Sequence, residues 1–324
     1  MDKDTRVFIA SIQEDYAARV REGLEFIGSL SQIDSTTRIA IKPNLTYPTF
    51  RPGVMTTYDA VEGLVKVLRD KTEHITIVES DSGGYNPFSI SEVFEKTGLL
   101  ALGKRYGIKV VNLTGMPSRD IVVKTAFRKL HVPLPKLLLD ETDLFITMPV
   151  PKVHANTLVS LSMKNQWGVI QEPATRLKLH PFFEQVIYAV NKALPRSISV
   201  MDGTFGLTRN GPMRGDVLKL GWLLVSNDLF SADYCGTQLM GINWDRVSHL
   251  RYAFRKERLE RVKKLELNTS LEPFKSREFY LQREWTDLPG LVAFKSRLAA
   301  YVGYESMLAR PLHWALYLWR ERLY

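Results

Sequence analysis

Side chains able to bind anions and move protons are concentrated in residues 147–168, TMPVPKVHANTLVSLSMKNQWG. Lys152 and His154 come soon after an apolar run that ends at two prolines, and Lys164 follows further along. An imidazole changes charge near neutral pH, and crowding by other cations lowers the pKa of a lysine towards that range. We therefore predict Lys152, His154 and Lys164 as catalytic residues for acid–base chemistry. A structural role is the alternative for His154.

Other polar side chains follow other predicted strands. In an open parallel sheet, ligands bind beyond the carboxyl ends of the strands, where loops and helix N-termini converge. Lys42 ends one strand, and the glycine-rich stretch 206–216 contains Arg209 and Arg214, whose planar guanidinium groups suit an anion. The residues predicted to bind substrate are Lys42, Asn44, Arg51, Asn165 and Arg214.

A divalent metal is a further prediction. Asp202 and Asp228 each follow a predicted strand, and His180 stands before Pro181 at a predicted helix start. Carboxylate oxygens suit Mg²⁺ or a similar ion. Each residue also has an ordinary explanation, since an aspartate before a glycine builds a turn and one before a helix caps it.

The order of elements predicts an α/β fold with a mainly parallel sheet covered by helices. Short β-branched runs alternate with stretches of helical spacing. The predicted strands are 6–10, 38–42, 75–79, 109–112, 144–148, 198–201 and 222–225. The predicted helices are 16–27, 58–68, 91–97, 181–194 and 229–239, followed by a long basic helix at 246–267.

Several function classes lack their motifs. There is no Walker A loop, no G-x-G-x-x-G, no G-x-S-x-G and no H-E-x-x-H. Cys235 is the single cysteine, so an internal disulfide and a self-ligated iron–sulfur cluster are both excluded.

The net charge of +9 is concentrated at the C-terminal end of the 324-residue chain. Residues 246–324 hold 16 Lys and Arg against 9 Asp and Glu, and 13 of the 34 aromatic residues. This shift predicts an α/β domain over 1–245 and a basic, aromatic-rich helical extension over 246–324. Nucleic acid is disfavoured as a partner because no recognised nucleic-acid module is present.

The segment 302–324 combines apolar, tryptophan and arginine residues. Such a mixture suits a membrane surface or a partner protein, and it equally suits packing against the main domain. The N-terminus lacks a signal-peptide pattern and no run of about 18 apolar residues occurs, so we expect a cytoplasmic protein that is either free or peripheral to the membrane.

Seven short motifs, in order, are similar to those of the domain of unknown function 362 family of bacteria and archaea. They are Ile41-Lys42-Pro43-Asn44, Pro151-Lys152-Val153-His154, Ser162-Met163-Lys164-Asn165 with Gly168, His180, Asp202-Gly203, Gly211-Pro212, and Asn227-Asp228 with Asp233. The family has no general assigned activity. Some members carry a ferredoxin-like iron–sulfur module, which this chain lacks. A remoter similarity is to the lactate racemase family, which holds a nickel pincer cofactor on a lysine and uses histidines as acid and base; Lys164 or Lys152 and His154 would take those roles.

The sequence thus predicts an enzyme acting on a small phosphorylated or carboxylated substrate by Lys/His acid–base chemistry, with metal assistance left open. The alternatives are a non-catalytic anion- or cofactor-binding protein docked on a membrane surface, and a redox or racemase-like enzyme with a bound cofactor.

Overall fold

The computed structural model describes residues 5–12, 15–82, 86, 88–126, 128–257, 264–304 and 306–318. The strands are β1 Thr5–Ser11, β2 Ile39–Pro43, β3 Ile75–Glu79, β4 Lys109–Asn112, β5 Ser118–Lys124, β6 Lys129–Pro135, β7 Leu144–Met148, β8 Lys152–His154, β9 Leu158–Ser160, β10 Arg196–Thr208, β11 Asp216–Ser226 and β12 Leu265–Leu267.

The helices of the described residues alternate with these strands along most of the chain. They are α1 Tyr16–Phe26, α2 Tyr58–Arg69, α3 Ile90–Lys96, α4 Leu99–Tyr106, α5 Lys136–Asp140, α6 Ser162–Asn165, α7 Pro173–Leu179, α8 Phe183–Ala193, α9 Leu229–Leu239, α10 Ser248–Glu257, α11 Leu288–Lys295, α12 Arg297–Tyr304 and α13 Ala309–Tyr317. Short 3-10 turns include Gln166–Val169, His180–Phe182 and Trp285–Asp287.

One large sheet forms the centre, with strand order β12-β1-β11-β10-β7-β2-β3-β4, and β8 and β9 attached at the end of β10. The strands along this order are parallel except β11, which is antiparallel to both of its neighbours. The predicted fold class, a mainly parallel sheet covered by helices, is confirmed.

Both faces of the central strands are buried, which explains their continuous apolar sequences. All five residues of β2 and of β7 are buried. Ile39 and Ile41 pack towards α1 to α4, whereas Ala40 and Phe145 face the layer that contains α8 and the β5–β6 hairpin. Period-2 alternation therefore points Lys42 to the same face as Ala40.

Several predicted elements need correction. The predicted strands 198–201 and 222–225 are parts of much longer strands, β10 and β11, which pair with each other along their length. The β5–β6 hairpin and the short strands β8 and β9 were not predicted. The predicted basic helix 246–267 is wrong at its end, because Leu265–Leu267 is a strand that pairs with β1.

Residues 246–257, 264–304 and 306–318 pack on the same layers as the rest of the chain. His249, Leu250, Ala253 and Phe254 form a buried stripe of α10 against α8 and α9, so this helix is solvated on one side only. These contacts do not test the predicted domain boundary at residue 245, which stays a prediction. No described helix combines the length and the apolar character that crossing a membrane requires.

Candidate functional site

The carboxyl ends of β2, β3 and β7 bring basic side chains from four segments together. Lys42 is the fourth residue of β2, Glu79 is the last residue of β3, and β7 leads through two prolines into β8, which carries Lys152 and His154. Lys164 joins them from α6. We call Lys42, Lys152, His154, Lys164 and His180 the basic cluster.

Lys42 is fully buried and pairs with the one carboxylate close to it, Glu79, at 2.6 Å between Nζ and Oε2. Burial lowers the pKa of Lys42, and Glu79 offsets that effect in part. The Asn165 amide donates to the Lys42 carbonyl at 3.2 Å and to Thr147 Oγ1 at 2.8 Å. A Cβ on Gly168 would meet both Glu79 and Lys42 within 3 Å, which gives this glycine a steric reason.

Lys152 points into the loop that follows β2. Its ammonium donates to the Val54 carbonyl at 2.7 Å and to Asn44 Oδ1 at 3.3 Å. Burial lowers the pKa of Lys152 to about 7, with further contributions from the charges of Lys164 and Lys42. The predicted neighbours Lys152 and Asn44 are thus in contact.

Lys164 is carried by α6, a single turn of helix held by Asp233 of α9. The Asp233 carboxylate accepts from the backbone N–H groups of Ser162 at 2.7 Å and Met163 at 2.9 Å, the first turn of α6. Such bonds satisfy helix N–H groups that have no intrahelical acceptor. Asp233 is itself fully buried, and burial raises its pKa to about 7.

The Lys164 ammonium lies 5.9 Å from the centre of the Phe183 ring. The residue is partly exposed to solvent. Burial lowers the pKa of Lys164 to about 7, and the charges of Lys42 and Arg176 contribute. Within the described residues neither Lys152 nor Lys164 forms an ion pair.

His154 is held in one tautomer. The backbone N–H of Asn156 donates to His154 Nδ1 at 3.1 Å, so a neutral ring carries its proton on Nε2. Burial, followed by the charges of Lys164 and Lys152, lowers the pKa of His154 well below its usual value. This imidazole is therefore neutral at physiological pH and is a hydrogen-bond donor rather than a strong base.

Two more histidines, His180 and His249, pack against a group of aromatic rings near Lys164. His180 stacks on Trp167 at 5.5 Å between ring centres and lies 4.9 Å from Phe294. His249 packs edge-on against Phe183 at 5.5 Å. Burial and the charge of Lys164 lower the pKa of both histidines to about 3.

Arg176 lies next to the loop that follows β3. Its guanidinium donates to the Asp81 carbonyl, and burial lowers its pKa to about 10. Arg176 Nε and both ring nitrogens of His249 are buried and make no hydrogen bond within the described residues.

The predicted metal ligands occupy separate places. Asp202 lies inside β10 rather than after a strand, and its carboxylate accepts from Thr57 N at 2.7 Å and Thr204 Oγ1 at 2.6 Å. Asp228 caps α9 through Ser231 N at 2.8 Å. Because β11 is antiparallel, the chain at Asp228 turns back towards the amino ends of the neighbouring strands. Among the described residues no three histidine, cysteine or carboxylate side chains converge on a metal site.

Two predicted substrate-binding arginines lie outside the cluster. The Arg51 guanidinium sits over the Tyr47 ring at 3.9 Å, within the loop that receives Lys152. Arg214 is partly buried between β10 and β11 and contributes to none of the pKa shifts given above. Arg209, which shares its loop, pairs with Asp216 at 2.9 Å and is already neutralised.

Sequence reasoning missed Glu79, Arg176 and His249 as neighbours of the cluster. The role of Glu79 could have been predicted, because a carboxylate at the end of an otherwise apolar, buried strand needs a cation as a partner. Arg176 and His249 had none, since each reaches the site through the packing of helices distant in sequence.

Comparison with known proteins gives a family and a set of distant likenesses. The family described as domain of unknown function (DUF362) matches residues 39–238. A thylakoid-associated protein of Synechocystis sp. is 26% identical over 241 residues, which cover 70% of each chain.

Two solved structures align with part of this chain at low identity. They are the lactate racemase apoprotein from Thermoanaerobacterium thermosaccharolyticum, with 15% identity and a TM-score of 0.45, and a structural-genomics protein from Thermotoga maritima, with 10% identity and a TM-score of 0.40. Each alignment covers 74% of this chain, and it covers 57% and 59% of the two solved chains respectively. Because the family match covers more than half of the sequence, and runs from β2 through Asp233, this chain belongs to the DUF362 family.

Proposed function

We propose that this chain is an enzyme that binds a small phosphorylated or carboxylated substrate at the basic cluster and moves a proton with Lys164. The observation that carries the proposal is uncompensated positive charge. Glu79 forms an ion pair with Lys42. In the described part of the chain, Lys152 and Lys164 form no ion pair with a carboxylate. A bound anion would supply the compensating negative charge and raise the pKa of each of these two lysines.

Lys164 is the best candidate for proton transfer. With a pKa of about 7, its neutral and charged forms are both populated at neutral pH, which suits a general acid or base. Its partial exposure leaves it accessible to a bound molecule. Lys152, fixed by the Val54 carbonyl and Asn44, would instead attract and position the anion.

His154 takes a different role from the one expected from its residue type. Its lowered pKa makes the His154 imidazole a poor base at neutral pH, while its Nε2–H can still donate a hydrogen bond. A neutral imidazole of this kind can polarise a substrate carbonyl or phosphoryl oxygen. We propose that His154 orients the substrate and that Lys164 exchanges the proton.

The rival function is non-catalytic binding of an anion or cofactor. It rests on the same cluster and differs only in that nothing is converted. A cofactor carried covalently on Lys164 would add mass to the intact protein, so mass spectrometry of purified protein separates that case from free substrate binding.

A thermal-shift screen tests the proposal. The ligands are inorganic phosphate, sulfate, and panels of phosphorylated and carboxylated metabolites near pH 6.5. A ligand at a hundred times its Kd should stabilise the wild type by about 2.7 kcal/mol. Lys164→Met should stay folded and lose the response, because the substitution removes a charge and keeps the volume.

The matched control is Lys66→Met, since Lys66 is half exposed on α2. This variant should respond like the wild type. Equal responses of Lys164→Met and the wild type would overturn the assignment. Product detection by mass spectrometry with the responding ligand then separates an enzyme from a binding protein.

A further inference from the structure

The three C-terminal helices cover the elements that carry the site. Phe294 of α11 lies 4.9 Å from the His180 ring and 5.4 Å from Phe183. Helix α12 packs against α7, which carries Arg176. The inner faces of α11 to α13 are small or aromatic and buried, as Ala293, Phe294, Ala300 and Ala309 show.

The outer faces of the same helices are also apolar. The exposed large side chains from residue 285 onwards are Trp285, Leu288, Val292, Leu298, Tyr301, Met307, Leu308, Leu312, Trp314 and Leu318. Leu298 is 73% exposed and Met307 is 97% exposed. A helix that is apolar on all sides is normally buried, and a monomer rarely exposes so large an apolar patch without a function. We call this surface the C-terminal apolar face.

The exposed charged side chains of α11 to α13 that the structure describes are basic. They are Lys295, Arg297 and Arg310, while Glu305, the one carboxylate in the sequence of 288–318, lies outside the described residues. An anionic surface complements this pattern. A second copy of the chain related by a two-fold axis would bring two basic surfaces together, which is unfavourable.

We propose that the C-terminal apolar face docks on an anionic lipid surface. Leucine, tryptophan and tyrosine side chains enter the interfacial region of the bilayer while lysines and arginines contact the headgroups, the pattern of helices that lie in the membrane plane. Helices α11 to α13 are short and each packs on the next, so they can lie side by side on such a surface.

Docking places the basic cluster close to the bilayer. The inner face of α11 contacts His180 and Phe183, and its outer face meets the lipid, so one helix diameter of about 10 Å separates the two. This inference stands on the C-terminal helices alone and does not depend on the proposed chemistry of Lys164.

Vesicle flotation of the full chain tests it. The vesicles are phosphatidylcholine with and without phosphatidylglycerol. Wild-type protein should float with the anionic vesicles, and its partition should fall steeply with added salt. The variant Val292→Ser/Leu298→Ser/Leu308→Ser, changed only at exposed positions, should stay folded and lose flotation. Lys295→Gln/Arg297→Gln/Arg310→Gln should lower partition by about fivefold per residue.

The matched control is Val122→Ser/Val217→Ser/Leu267→Ser, which removes exposed apolar side chains from β5, β11 and β12. It should float like the wild type. No flotation of the wild type would overturn the inference, and so would flotation that the C-terminal variants leave unchanged. Concentration-dependent self-association without vesicle binding, abolished by the same variants, would assign the face to a second copy instead.

Discussion

Individual side chains in the cluster have properties that differ from those of their free amino acids. The sequence led us to expect Lys42, Lys152, His154 and Lys164 in one crevice, and in the structure they lie close to one another and to Asn165; their catalytic and binding roles stay predictions. It could not predict which of them titrates near pH 7. The pKa of each group depends on its burial and on repulsion between the cations. These effects lower the pKa of Lys152 and Lys164 to about 7 and the pKa of His154 well below its usual value.

The buried pair Lys42–Glu79 gives a prediction about stability. Glu79→Gln leaves a buried ammonium without its carboxylate and should lower the free energy of unfolding by about 3–5 kcal/mol, measured by urea denaturation at pH 7. The double variant Lys42→Met/Glu79→Leu removes both charges and should recover most of that loss. Glu73→Gln is the control, because Glu73 is 84% exposed and pairs loosely with Arg69. A loss no larger than that of Glu73→Gln would contradict the ion-pair assignment.

At the scale of elements, α6 and α9 determine where Lys164 lies. Helix α6 has only four residues, so Asp233 of α9 provides the contact that fixes its first turn. The sequence placed Asp228 and Asp233 on one predicted helix, 229–239 with its cap, and the structure confirms those bounds. Capping of α9 by Asp228 was one of the explanations that the sequence offered, whereas the sequence could not predict that Asp233 caps a different helix, α6.

These two aspartates have different expected effects. Asp228→Ala should lower stability by about 1 kcal/mol through the loss of a helix cap and leave anion affinity unchanged. Asp233→Asn places an amide N–H₂ against a backbone N–H, and should cost about 2 kcal/mol. It should also weaken anion binding, because α6 carries Lys164. Affinity is measured by calorimetry near pH 8, and a purely structural Asp233 would change stability with wild-type affinity.

At the scale of the molecule, the alternation of β-branched runs and helical stretches was enough to predict the sheet and its covering helices. Three features depended on contacts between distant residues. The antiparallel direction of β11 removed Asn227 and Asp228 from the site, and Asp202 became the anchor of Thr57 at the start of α2. Helix α10 has a buried stripe that the sequence did not predict, and this stripe brings His249 against Phe183.

The central claim is that an anion neutralises Lys152 and Lys164, whose pKa values are both about 7. Binding should raise those pKa values, so protons are taken up above about pH 7. The sign follows, because the complex then holds more protons than the free protein and affinity falls as pH rises through that range.

The measurement is isothermal titration calorimetry of the tightest-binding carboxylate from the screen, between about pH 6 and 9, where its own charge is constant. Two buffers of different ionisation enthalpy report the proton uptake. The wild type should bind with affinity that is constant below about pH 7 and falls by up to tenfold per pH unit for each proton taken up. Lys164→Met should bind weakly with a flatter profile. Affinity independent of pH, with no proton uptake, would contradict the account.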